Sequence, residues 1–254
     1  MNVLLIHGNG GASSRFRPFL ERLEKEPAPL VKAWVPELPG FEGRPLPEGP
    51  VNWEVFLQPL QDVVGDRPDE AWILYGHGIG GSILLEWASR GFPLGNRPSW
   101  QPQGVLLHAP IGASLGHRWF PKVMKVKVMR SLIHWLIYQK WLQKAWEKKL
   151  FLQPEQIPGN LRDQFFADYQ SCAAFPHFFD LIDEDWYRKV QAQLRGQAFH
   201  FLWGEEERVV ASRFLQYWKD DFPNATFELI PGWDHFPMLE TPEAFFQKMM
   251  QLLQ

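Results

Sequence analysis

A chain of 254 residues, 45% hydrophobic and 22% charged, is long and apolar enough to bury a large core as one domain, which excludes a disordered chain. Its formal charge of −3 lacks the basic excess that nucleic-acid-binding domains carry, so no nucleic-acid partner is expected, and its single cysteine, Cys172, excludes an intramolecular disulfide. MNVLLIHG has neither the basic nor the long apolar region of a signal peptide, and no later run is long enough to span a bilayer, so a cytoplasmic protein is expected.

Val3 to Ile6 form a short apolar run that stops at HGNGG, and FRPFLERLEK then repeats its apolar residues at helical spacing. KAWVPELPGFEGRP reads as a strand entering a Pro/Gly-rich loop, and WEVFLQPLQDVV as a helix with its proline near a kink or start. AWILYG is the next strand and SILLEWASR the helix after it. GVLLHAP, AFHFLWG and TFELIPG are three further strands, and PEAFFQKMMQLL is a terminal helix. The alternation predicts an α/β fold with a doubly wound, mostly parallel sheet covered on both faces. Residues 111–195 break the rhythm with helical patterns alone, which predicts a helical insertion between core segments 1–110 and 196–254.

The insertion is unusual in charge. From Arg118 to Lys149 nine basic residues stand against one acid, Glu147. Toward its end Tyr138, Trp141, Leu142, Ala145 and Trp146 share one helical face, with Lys140, Lys144, Glu147 and Lys148 on the other, which predicts a basic, tryptophan-rich amphipathic helix. Two readings follow: peripheral contact with an anionic membrane through 118–149, or an apolar face packed on the sheet beneath solvated lysines.

The stretch WILYGHGIGG carries two possible turns. Gly76, Gly78 and Gly81 satisfy the G-x-G-x-x-G of dinucleotide sites, and the same letters match G-x-S-x-G with Gly78 in the serine's place. A dinucleotide site needs an acid at the end of the following strand, to hold the ribose hydroxyl. Here that strand ends in His108 and Ala109, and no Asp or Glu lies between Glu86 and Glu147, so no cofactor is expected. No H-E-x-x-H or C-x-x-C spacing exists, and no metal is expected either.

HGNGG, PELPGFEG, YGHGIGG, GEEERVV and PGWDHFPMLETPEAF together resemble the α/β-hydrolase superfamily, in its capped esterase and lipase form, over residues 3 to 254. The resemblance implies that His235 is the catalytic histidine, in a segment similar to G-x-G-H-x-P-x-x-E-x-P with Asp234 in the usual glycine's place. It implies Glu207 as the acid, the backbone N–H groups of Asn9 and Ile79 as the oxyanion hole, and 111–195 as the cap. The nucleophile position falls on Gly78, which has no side-chain atom to attack with, so a conventional acyl-enzyme mechanism is excluded. Either His235, oriented by Glu207, activates a water in the vacated space, or the pocket is a catalytically silent ligand-binding or receptor site. A glycine replacing a native serine, and a lyase of the menaquinone-synthase type, are further alternatives.

Ser82, Ser13 and Ser14 are conceivable substitute nucleophiles but read better as packing and capping residues. His77 is expected to pack beneath the elbow and His7 to fix the loop after the first strand. His108, at a strand end, is expected to line the pocket. Trp119 and Phe120 head a run of cap aromatics that suits a hydrophobic small-molecule ligand, such as an acyl or prenyl ester.

Overall fold

The computed structural model describes residues 1–26, 30–95, 97, 100–137 and 139–253. Among them six strands, β1 (Asn2–Ile6), β2 (Lys32–Trp34), β3 (Trp72–His77), β4 (Gly104–His108), β5 (His200–Gly204) and β6 (Thr226–Ile230), form one sheet in the order β2-β1-β3-β4-β5-β6. Every pairing is parallel. The chain moves outward from β1 to β2 and then returns to the other side of β1 with β3, so the loops after β1 and β3 part from each other at a topological switch point, where open α/β sheets hold ligands.

Before β4 the helices are α1 (Arg17–Glu24), α2 (Trp53–Gly65) and α3 (Ile79–Ser89). Between β4 and β5 lie α4 (Trp119–Met124), α5 (Lys127–Ile137), α6 (Gln143–Leu150), α7 (Gly159–Gln170), α8 (Phe178–Leu181) and α9 (Glu184–Leu194). After β5 come α10 (Leu215–Asp221), α11 (Pro237–Glu240) and α12 (Pro242–Leu252).

The two-residue period of the strands sorts their apolar side chains into two cores. Val3, Leu5, Ile73, Tyr75 and Leu106 face α1 and α12, where Phe19, Leu23, Phe245 and Met249 cover them. Leu4, Ile6, Leu74 and Leu107 face α2, α3, α9 and α10, under Phe56, Leu60, Ile83, Val190 and Trp218. Burial of the central strands on both faces explains why their sequences are continuous apolar runs. β2 is short because it is an edge strand and Pro36 follows two residues after its end. α2 keeps Pro59 in its interior, not at its start, and is capped by the Asn52 side chain accepting from the Glu54 amide at 3.0 Å.

One expectation about residues 111–195 is corrected. No single amphipathic helix spans the tryptophan-rich stretch: a 3-10 turn at Lys140–Leu142 precedes α6, and its tighter winding carries Trp141 off the face that holds Trp146. Trp141 is exposed and Trp146 half-buried. Tyr138 lies outside the described residues. At the end of the stretch α9 packs against α3 in the layer that covers the sheet. The Asp183 side chain caps α9 at the Trp186 amide, 2.7 Å away, and the Trp186 indole stacks on Trp53 and donates to Glu86 Oε2 at 2.8 Å.

Candidate active site

Gly78 is the single residue between β3 and α3, with φ +56° and ψ −119°, and its amide donates to His108 O at 2.9 Å. That φ disfavours a side chain by about 1–2 kcal/mol, but the surroundings do not crowd one out. A Cβ at position 78 would stand 3.6 Å from Gly8 Cα and 4.0 Å from His235 Nε2, at ordinary contact distances. Gly80 differs. A Cβ there would meet Ile6 O at 2.4 Å, so its bareness is what lets the first turn of α3 lie directly on the end of β1. Gly76 and Gly81 are crowded in the same way, by Gly80 O at 2.5 Å and Pro110 Cβ at 2.9 Å, so these three glycines serve close helix packing.

His235 and Glu207 arrive on the loops after β6 and β5. His235 Nδ1 bonds Glu207 Oε2 at 2.7 Å, and Glu207 Oε1 accepts the amides of Val209 and Val210 at 2.7 and 2.8 Å. Burial pushes the Glu207 carboxyl up, but the facing His235, its hydrogen bond and the Val210 amide outweigh burial and hold it below its usual value. With its Nδ1 occupied by a carboxylate, the imidazole presents Nε2 toward the space above Gly78. Asp234 is part of the support. Its Oδ1 accepts the amides of His235 at 2.7 Å and Arg208 at 3.0 Å, and its Oδ2 lies 3.2 Å from Arg208 Nε.

Asn9 and Ile79 line the same cavity, from the loops after β1 and β3 on opposite sides of the switch point. Ile79 opens α3, where the first amides have no acceptor within the helix and the helix dipole favours negative charge. The Asn9 side chain donates to Phe175 O at 3.1 Å and accepts from the Gly10 amide at 3.1 Å, which ties this loop to the segment above it.

A second tie was not visible in the sequence. Arg15 is buried against the Phe165 ring, 3.6 Å from its centroid, and donates to Gly10 O at 3.1 Å and Phe165 O at 3.3 Å. Its counter-ion is Asp168 of α7, at 3.7 Å, which also accepts from Ser14 Oγ at 2.5 Å. Apolar periodicity carries no signal for such a contact, nor for the Arg208–Asp234 pair, because each joins loops or elements distant in sequence.

Two further histidines, His77 and His108, pack in line beneath His235. His77 packs on His235 at 4.4 Å between ring centroids and on His108 at 4.9 Å. Burial first, and then the neighbouring His235 and His108, press the His77 imidazole well below its usual value. Burial takes His108 down to about 3 and His7 to about 4. His7 packs edge-on against Phe41 beside the loop after β1. The expectation that His108 lines the pocket is corrected: strand alternation turns it to the α12 side, where Nδ1 meets Tyr75 Oη at 2.7 Å and the ring packs on Trp233. His77, one strand over in register with His108, does reach the cavity wall.

A cavity of about 410 Å³ opens above Gly78, within the range of small-molecule sites. Trp119 and Phe120 line it, and Ile133, Ile137, Phe175 and Phe179 extend its apolar wall. Ser82 is shut away from this space, donating to Ile111 O at 2.8 Å, and Ser13 bonds Glu42, so neither is placed to attack a ligand. Cys172 is buried, and burial pushes its thiol up to about 12. Among the described residues no three His, Cys, Asp or Glu side chains group as a metal site, and no helix is long and apolar enough to cross a membrane.

Solved structures share this architecture. MenH from S. aureus superposes with a TM-score of 0.73 at 15% identity, covering 100% of this chain and 93% of its own. An esterase, EaEST, from Exiguobacterium antarcticum gives 0.73 at 13% identity, with 99% and 91% coverage. A bromoperoxidase from Bacillus anthracis gives 0.73 at 14% identity, again with 99% and 91% coverage. A search of curated proteins finds no significant match. A family model described as the alpha/beta hydrolase family matches residues 3–248, nearly the entire sheet with its loops, and the chain belongs to that family.

Proposed function

We propose that the protein binds a hydrophobic ester or ester-like molecule in the cavity above Gly78, and that His235 acts as general base on a water held there. One observation carries this reading. The side-chain-sized space at Gly78 is open, 4.0 Å from His235 Nε2 when measured from a Cβ built there. A water there has the base beside it. In the reaction the water oxygen attacks the acyl carbonyl while its proton passes to Nε2, and the carbonyl oxygen, now negative, faces the Asn9 and Ile79 amides. Collapse expels the alcohol oxygen, which takes the proton back from Nε2. Glu207 stays ionised throughout and stabilises the imidazolium. The esterase and lipase character of neighbouring structures supports the ester class.

The missing nucleophile favours a second reading, a site that holds its ligand without turning it over. Hydrolysis of p-nitrophenyl esters of graded acyl length separates the two. Turnover above background that falls about a hundredfold in His235→Ala supports the water mechanism. Turnover unmoved by that substitution overturns it, and saturable ester binding with no turnover establishes the binding role.

A further inference from the structure

α5 is turned inside out for a surface helix. Its one cationic residue near mid-helix, Arg130, is 7% exposed, with Nη1 and Nη2 on the Asp180 carboxylate at 2.8 Å each and Nε on Met124 O at 2.8 Å. Its outward stripe is apolar: Val128, Leu132 and Trp135, spaced i, i+4 and i+7, are 76%, 44% and 55% exposed. Helices on water-facing surfaces place these residue types the other way round. Trp119 and Trp141, 68% and 74% exposed, flank the stripe. Of the other large apolar residues exposed among the described residues, Val126 and Met129 adjoin the stripe, and Met1, Leu30 and Leu229 lie far from it in sequence.

Apart from Asp180, which is bound to Arg130, the charge close to this stripe in sequence is basic. Lys122, Lys125 and Lys127 on one side and Lys140, Lys144 and Lys148 on the other are all exposed. Lys248, on α12, is the one lysine in a salt bridge among the described residues. The single acid of the segment, Glu147, is half-buried, 3.7 Å from Arg162. Exposed tryptophans among unpaired lysines combine the two attractions of an anionic bilayer surface: burial of apolar side chains at the headgroup boundary and charge attraction to the lipid.

We propose that this face, α4 and α5 with the 3-10 turn at Lys140–Leu142, docks the protein on an anionic phospholipid surface. The position adds to the chemistry. Ile133 and Ile137 on the inner side of α5, with Trp119 and Lys122 of α4, also wall the cavity above Gly78, so the docked face and the ligand chamber share the same helices. A lipid-soluble ligand would then pass from bilayer to cavity without crossing bulk water. This inference does not depend on whether the cavity turns its ligand over.

Co-sedimentation with vesicles of phosphatidylglycerol and phosphatidylcholine, and with vesicles of phosphatidylcholine alone, tests it without an activity readout. Binding to the anionic vesicles is expected to weaken steeply as salt rises. It is also expected to fall tenfold or more both in the triple variant Val128→Ser, Leu132→Ser, Trp135→Ser and in the triple variant Lys127→Gln, Lys140→Gln, Lys144→Gln. All six side chains are exposed, so unchanged circular dichroism is expected to accompany the loss. Equal pelleting with both vesicle types, no pelleting at low salt, or binding unmoved by both variants overturns the proposal. So does a lipid-free dimer, seen by analytical ultracentrifugation and abolished by the serine variant, because the apolar face then serves a second copy of the chain.

Discussion

The amides of Arg208 and His235 both point at one oxygen, Oδ1 of Asp234, from 3.0 and 2.7 Å. One buried carboxylate therefore joins the loop that carries Glu207 to the loop that carries His235. Asp234→Ala strips both amides of their acceptor and leaves Arg208 without its counter-ion. It is expected to cost roughly 1–3 kcal/mol in urea unfolding, whereas Asp234→Asn, which keeps an acceptor oxygen, costs less. An unchanged urea midpoint in the alanine variant would show that the loops hold each other by other means.

The buried histidines set the acid side of the stability profile. His108 at about 3, His7 at about 4 and His77 well below its usual value are neutral in the folded protein, while the unfolded chain protonates each near pH ~6.5. The unfolded state therefore binds more protons below that pH, and the folding free energy these groups contribute, full above it, declines as pH falls toward 4. Urea midpoints measured across pH 4 to 7 should show the decline, and His108→Gln should make it shallower.

Glu240 acts with the opposite sign. Burial raises its carboxyl to about 7, so the folded protein holds a proton that the unfolded chain releases near pH ~4.3. Its stabilising contribution is present at low pH and is lost as pH climbs through that window. Glu240→Gln keeps an acceptor for the Gln153 amide, which Oε1 now binds at 2.8 Å. The variant is expected to match the parent at pH 4 and to exceed it by on the order of 1 kcal/mol at pH 8. Equal stability at both pH values would remove the carboxyl from the account.

Gly78→Ser tests the elbow directly. The positive φ costs about 1–2 kcal/mol of stability, and nothing lies close enough to a Cβ to cost more. A serine oxygen there comes within hydrogen-bond reach of His235 Nε2. Labelling by a fluorophosphonate probe, absent from position 78 in the parent, is expected in the variant, with ester turnover raised by about a hundredfold or more. A folded Gly78→Ser protein that resists the probe would mean that the pair is not poised over this position.

Asp168→Ala leaves the Arg15 guanidinium buried without its counter-ion and takes the acceptor from Ser14 Oγ. A loss of about 3–5 kcal/mol is expected in urea unfolding. Asp168→Asn, which retains the acceptor, should recover part of it. Near-parental stability in the alanine variant would mean that stacking on Phe165 and the two carbonyls suffice for Arg15.

The sheet was legible because its central strands are buried on both faces and announce themselves as apolar runs, while Gly78, Glu207 and His235 follow β3, β5 and β6. Exposure was not legible at the strand ends. His77 and His108 are in register and on the same face of the sheet, yet His77 lines the cavity while His108 is fully buried. α10 went unread because its seven residues, LQYWKDD, give too short a periodic pattern. The Trp-rich stretch failed because a 3-10 turn changes the angular step between residues, which a helical wheel takes as constant. The clamps Arg208–Asp234 and Arg15–Asp168 join loops and helices that only the fold brings together.

Leu106 of β4 pairs with His200 of β5, and about 90 residues separate them, far more than a bare crossover helix needs. Loop-closure entropy grows only with the logarithm of length, by about 0.6 kcal/mol per doubling, so even several doublings tax the sheet by only about 2 kcal/mol. The walls of the cavity can therefore be lengthened, shortened or recast through evolution while the strands that align His235 with Glu207 scarcely register the change. Chamber and machinery are free to diverge at different speeds.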